Sequence, residues 1–138
     1  MNEIFADTGY WIALFNPRDD LHAKALTVAR VTQGRPLVTS QMALTEFLNY
    51  FASLGQSFRR QAVQVVRSLQ QAAEVEIVPQ SDAQFQAALT FYAQRPDKQW
   101  SLVDCASFLI MQGRNISEAL AYDEHFQQAG FAPLLREN

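Results

Sequence analysis

Two rhythms of apolar and polar positions alternate along this chain, and they predict strands and helices in turn. Residues Glu3 to Ala6 form a short apolar run that stops at Asp7, which suits a buried strand. Tyr10 to Phe15 predicts a short helix, stopped near Asn16-Pro17. Asp19 or Asp20 can cap the next helix, which runs to about Gln33, stops at Gly34 and carries a stripe of Leu21, Ala25, Val28 and Ala29. Arg35-Pro36 leads into Leu37-Val38-Thr39, a second short strand. Met42 to Leu54 reads as a helix with Met42, Ala43, Phe47, Tyr50 and Phe51 toward the core, ended by Gly55. Phe58 to Ala73 repeats the pattern with Ala62, Val65, Val66 and Leu69 on one face. Val75 to Val78 is β-branched and stops at Pro79, so a third strand fits. Ser81-x-x-Gln84 is a capping-box sequence for a helix to about Gln94, and Ser101-x-x-Asp104 opens another that ends near Gly113. Ala119 to Tyr122 predicts a fourth strand, Glu124 to Gln128 a helical turn stopped by Ala129-Gly130, and Phe131 to Leu135 a last strand.

Strands that alternate with helices imply an α/β fold with a mainly parallel sheet of four to five strands, flanked by helices on both faces. No linker, repeat or charge block divides the 138 residues, so one domain is expected. The 49% hydrophobic content supports a buried core and excludes a disordered or low-complexity chain. Cys105 is the single cysteine, which excludes an internal disulfide framework. Apolar stretches are broken well short of the roughly 18 residues a membrane helix needs, and the start lacks the basic region of a signal peptide, so a cytoplasmic setting is expected. The net charge of −3 argues against simple electrostatic binding of nucleic acid. Nine of the 11 basic residues are Arg, however, and the Arg fork holds phosphate as Lys cannot.

Four acids have notable settings. Asp7 ends the first strand in FADTGYW, Glu46 lies in the first turns of a helix in TSQMALTEFLNY, Asp104 lies in the first turn of a helix in SLVDCASFLI, and Asp123 follows the fourth strand in ALAYDEHF. In an open parallel sheet, strand ends and the starts of the following helices share the edge where ligands bind. Asp7, Asp104 and Asp123 therefore project toward one mouth, within reach of Glu46. Crowded carboxylates need compensation, and a hard divalent cation such as Mg²⁺ or Mn²⁺ supplies it. Thr8 and Ser101 offer hydroxyls that can orient a carboxylate or a water.

The D-T start, the mid-chain TEFLNY, SLVDC opening a helix and the final YDEHFQQAGF resemble PIN-domain nucleases, most of all the VapC toxins of type II toxin–antitoxin pairs. The resemblance covers essentially the whole chain, and D-x-H-F-x-x-x-G-F is its most specific piece. It implies a PIN-like three-layer fold and an Mg²⁺- or Mn²⁺-dependent endoribonuclease. It also implies a homodimer, held inactive in the toxin branch by a cognate antitoxin; a stand-alone PIN-domain RNase and a non-catalytic PIN-fold protein-binding module are the alternatives, and the presence of all four acids disfavours the second. It assigns metal binding and catalysis to Asp7, Glu46, Asp104 and Asp123, with Thr8 and Ser101 in support. In such an enzyme a metal lowers the pKa of its water, which attacks the phosphodiester in line. One departure stands out: many members carry Thr, Ser or a second acid beside the last Asp, where this chain has Ala121 and Tyr122.

Each residue also has a structural reading. Asp7 can N-cap the Tyr10 helix, Asp104 completes a capping box with Ser101, Asp123 can cap the Glu124 turn, and Glu46 alone is an ordinary solvated helical acid. His125 beside Phe126 suits packing or hydrogen bonding better than metal binding, His22 needs no role, and Cys105 suits a buried small hydrophobe. Arg59, Arg60 and Arg67 share one predicted helix and can either touch RNA phosphate or form a solvated face. A receiver-like phosphoacceptor also uses acids and Mg²⁺ at strand ends. It needs paired acids at the start and a late Lys, whereas Asp7 stands alone and the lysines are Lys24 and Lys98.

Overall fold

The computed structural model describes residues 2–136. Strands β1 (Ile4–Ala6), β2 (Leu37–Ser40), β3 (Val75–Val78), β4 (Glu118–Leu120) and β5 (Ala132–Pro133) form one sheet in the order β3-β2-β1-β4-β5. Every pairing is parallel, with Ile4 opposite Leu37 and Phe5 opposite Ala119. Helices α1 (Thr8–Phe15), α2 (His22–Val31), α3 (Gln41–Ala52), α4 (Gln56–Gln71), α5 (Asp82–Gln94), α6 (Leu102–Gly113) and α7 (Glu124–Gln128) make the crossovers.

The alternation of strand side chains sorts the core into two layers. Ile4 and Ala6 of β1 and Leu120 of β4 pack with Trp11, Phe47, Phe51 and Val65 from α1, α3 and α4. Phe5 and Ala119, one position out of step, pack on the other face with Phe108, Met111 and Phe126 from α6 and α7. Both faces of a parallel sheet are thus covered, as its continuous apolar strands require. A buried polar link ties the first layer to the sheet: Trp11 Nε1 donates to Thr39 Oγ1 at 3.1 Å, and Thr39 Oγ1 donates to the Ala6 carbonyl at 2.8 Å.

The element order matches the expectation, with several corrections at the ends. Helix α2 starts at His22 without a side-chain cap, because Asp19 Oδ1 accepts from the Leu21 amide at 2.9 Å and closes a turn before the helix begins. Gly55 is the N-cap of α4, at φ 106, since α3 has already ended at Ala52. Strand β4 stops at Leu120 rather than Tyr122, and β5 shrinks to Ala132–Pro133. Beyond those residues the amides of Leu134 and Leu135 still bond the Ala119 and Ala121 carbonyls. His22 has a partner after all: its Nδ1 lies 2.7 Å from the Ala13 carbonyl, an oxygen that only accepts, so Nδ1 carries the proton. Tyr50 does not face the core; it is 39% exposed.

Candidate active site

The strand order reverses direction beside β1: the chain leaves toward β2 and β3, then crosses back to lay β4 on the other side. The crevice beyond the strand ends at such a switch point is where open α/β sheets bind ligands. Asp7 follows β1 and Asp123 lies just beyond β4, so the topology sets both beside this crevice, and the Asp7 amide bonds the Leu120 carbonyl at 3.1 Å. The crevice opens into a cleft of about 790 Å³ lined by Asp7, Thr8, Glu46, Ser101, Asp104 and Asp123 together with His125. All six residues singled out in the sequence therefore meet in one place.

Local structure holds each acid. Asp7 is the N-cap residue of α1, yet its side chain makes no capping bond, so the bland reading does not account for its carboxylate. Glu46, in the second turn of α3, is reached by the Thr8 hydroxyl, whose oxygen lies 2.8 Å from Glu46 Oε1 and 3.1 Å from the Ala43 carbonyl. Its single hydrogen serves one of these at a time. Asp104 does complete the capping box: its amide donates to Ser101 Oγ and its Oδ2 accepts from the Ser101 amide, both at 3.0 Å. Asp123 caps α7 by accepting from the His125 amide at 3.0 Å. Here capping and site-building coincide, because a carboxylate in a first helical turn is also held at the sheet edge.

The electrostatics of the cleft are those of crowded acids. Burial and the charge of Asp104, with smaller contributions from Glu46 and Asp123, push the Asp7 carboxyl up to about 7, while the Thr8 amide acts in the opposite direction. Burial also raises Glu46, the Thr8 hydrogen bond lowers it, and Asp104 raises it again. His125 Nδ1 stands between two of the acids, 3.1 Å from Asp104 Oδ2 and 3.3 Å from Asp123 Oδ1. Phe126 next to it is fully buried, so the two neighbours divide the work of packing and hydrogen bonding. Among the described residues, no three acids, histidines or cysteines close into a ready-made ligand cage. The donors are instead carboxylate oxygens spread around an open cleft. That chemistry suits a hard divalent ion, which keeps several waters and takes only a few protein oxygens.

Other residues of the cleft carried no local signal or only a weak one. Tyr50 lies one turn beyond Glu46 on α3, so the helical spacing alone places it on the same face. Arg136 enters from the far end of the chain, donates to the Tyr122 carbonyl at 2.8 Å and packs 4.8 Å above the Tyr122 ring. Arg59, Arg60 and Arg67 are exposed on α4 and do not line the cleft. Cys105 is a buried free thiol, 1% exposed, as its apolar surroundings suggest.

A five-stranded parallel sheet with helices on both faces and acids gathered at its switch point defines a class, and this chain belongs to the PIN domain family, whose model matches residues 4–132. Among its relatives is the protein named 23S rRNA-specific endonuclease VapC20 of Mycobacterium tuberculosis, 26% identical over 136 residues, which are 97% of this chain and 99% of that protein. The crystal structure of M. tuberculosis VapC20, described as a Sarcin-Ricin loop cleaving toxin, superposes with a TM-score of 0.81 over 94% of this chain and 96% of that one. FitAcB from Neisseria gonorrhoeae shares the fold, with a TM-score of 0.64 at 14% identity over 94% of this chain. No helix among the described residues is long and apolar enough to cross a membrane.

Proposed function

We propose that this chain is a single-domain, Mg²⁺- or Mn²⁺-dependent endoribonuclease and the toxin of a type II toxin–antitoxin pair. The observation that carries the reading is the meeting of Asp7, Glu46, Asp104 and Asp123 in one cleft at the switch point of the sheet, where burial and the neighbouring charges raise the Asp7 carboxyl. A chain keeps so unfavourable a cluster where a cation offsets it. Asp7 and Asp104 would hold the ion, with Glu46 and Asp123 completing the set directly or through water. Bound there, it would lower the pKa of a water and neutralise charge on the phosphodiester.

The chain's own residues do the rest. Thr8 orients Glu46, Ser101 orients Asp104, and His125 restrains Asp104 against Asp123. Glu46, raised by burial, takes the proton of the attacking water. The water oxygen bonds to phosphorus, the bond to the leaving sugar oxygen breaks, and that oxygen takes a proton from solvent.

The relative named a 23S rRNA-specific endonuclease makes ribosomal RNA the first substrate to try. Cleavage of a mixed RNA pool is expected with Mg²⁺ or Mn²⁺, and is lost with EDTA and in Asp7→Asn. Equal cleavage by wild type and variant overturns the assignment. A protein antitoxin and a homodimeric state complete the proposal. Growth arrest on induction, relieved by co-expressing the product of the adjacent reading frame, tests the first, and light scattering tests the second.

A further inference from the structure

An RNA strand entering this cleft meets Asp7, Asp19, Glu46, Asp104, Asp123 and Glu124, six acids of its own sign, against a single Arg, Arg136, which is held at Tyr122. A bound ion offsets part of that field only at the cut phosphate. The flanking nucleotides need cations and stacking surfaces close by.

A second cavity, of about 620 Å³, lies where α5 turns into α6, and it shares Gln99 and Ser101 with the cleft. Its cations are Arg95 and Lys98, set 4.8 Å and 6.0 Å from the centre of the Trp100 ring. Trp100 itself is buried and anchored, with Nε1 donating to Gln128 Oε1 at 3.0 Å. Arg95 also pairs with Asp97, but the pair is exposed at 36% and 57%, so a phosphate can compete for the guanidinium. Tyr92, on the same wall, is 51% exposed, an aromatic ring available to a base. Cation, aromatic ring and amide stand together beside the acids, in the combination that binds single-stranded nucleic acid.

We infer that this cavity, walled by Tyr92, Arg95, Lys98, Gln99 and Trp100, holds the nucleotide next to the cut phosphodiester of a single-stranded RNA. The inference rests on the ribonuclease reading and names where the strand continues. Lys98 and Arg95 take the phosphate, Tyr92 stacks on the base, and Gln99 faces both compartments. A second copy of the chain is the competing occupant, because Phe85, Leu89 and Tyr92 are all exposed along α5.

The test uses fluorescence anisotropy with a labelled, mixed-sequence single-stranded RNA of about twelve nucleotides. It is run in the Asp7→Asn background with Mg²⁺, so that cleavage does not interfere. Tyr92→Ala and Lys98→Gln are each expected to weaken binding about tenfold. Lys98→Gln also reduces the slope of log K against log salt by about 0.7, the signature of one lost phosphate contact. With 2-aminopurine in the strand, binding quenches its fluorescence, and Tyr92→Ala removes the quenching. The inference is overturned if the parent chain does not bind the probe or if both variants bind with parental affinity. A Tyr92→Ala variant that changes oligomeric state but keeps its RNA affinity hands the face to a second copy and likewise overturns it. If the wild type fails to cleave RNA while binding still depends on Tyr92 and Lys98, the nuclease reading falls and the RNA site stands.

Discussion

Removing one negative charge from the cleft should stabilise the metal-free protein, and Asp7 is the charge to remove. Its carboxyl sits at about 7 in the fold, against 3.8 when unperturbed. At roughly 1.4 kcal/mol per pH unit, that gap sets a ceiling of about 4 kcal/mol on the cost of ionising it. The cleft is open to water and salt, so about 2–3 kcal/mol is the expected effect. The sign follows from a raised folded-state pKa: below pH 3.8 the acid is neutral in both states and costs nothing, and stability drains away as the pH climbs through about 7. Asp7→Asn keeps the shape and a good N-cap residue, and no capping bond is lost because Asp7 makes none. Urea denaturation in EDTA should therefore show the two proteins alike near pH 4, with Asp7→Asn ahead by about 2–3 kcal/mol near pH 8. Added Mg²⁺ should reverse the order, since the wild type alone gains full binding stabilisation. A variant that is no more stable at pH 8 in EDTA, or that gains as much from Mg²⁺ as the wild type, refutes the reasoning. Asp104 looks an equal target on sequence grounds, but its carboxylate accepts the Ser101 amide and faces His125, so removing its charge also removes contacts it makes.

Three further outcomes follow from particular contacts. Ser101→Ala should cost about 1 kcal/mol in urea melts through loss of the α6 cap, and it should also weaken Mg²⁺-induced stabilisation because Ser101 and Asp104 hold each other. Thr39→Val should cost about 1–3 kcal/mol, since it leaves the buried Trp11 Nε1–H without its acceptor and the Ala6 carbonyl without its donor, and a variant as stable as the wild type with an unmoved Trp emission would argue against that link. The Cys105 thiol, 1% exposed, should react with a thiol reagent only as the protein unfolds, with a rate that follows urea concentration.

The elements were legible because their signals are local. Hydrophobic period separates helix from strand, Ser81 and Ser101 mark helix starts with their hydroxyls, and β3 emerges at Val75–Val78 because β-branched residues end at Pro79. The four acids were legible as a group because strand ends and helix starts in a parallel α/β fold converge on one edge whatever the details. Ends of elements were less so: a helix start at His22 depends on the Asp19 turn before it, and the length of β4 depends on what β5 offers to pair with. What only the folded chain decided is the company each acid keeps. The pairing of Thr8 with Glu46, the placing of His125 between Asp104 and Asp123, the arrival of Arg136 over Tyr122 and the cavity that joins the cleft at Gln99 all link distant parts of the sequence. Such contacts arise from crossovers and packing, and no short-range periodicity encodes them; the burial that lifts Asp7 exists only once both layers have closed over the sheet.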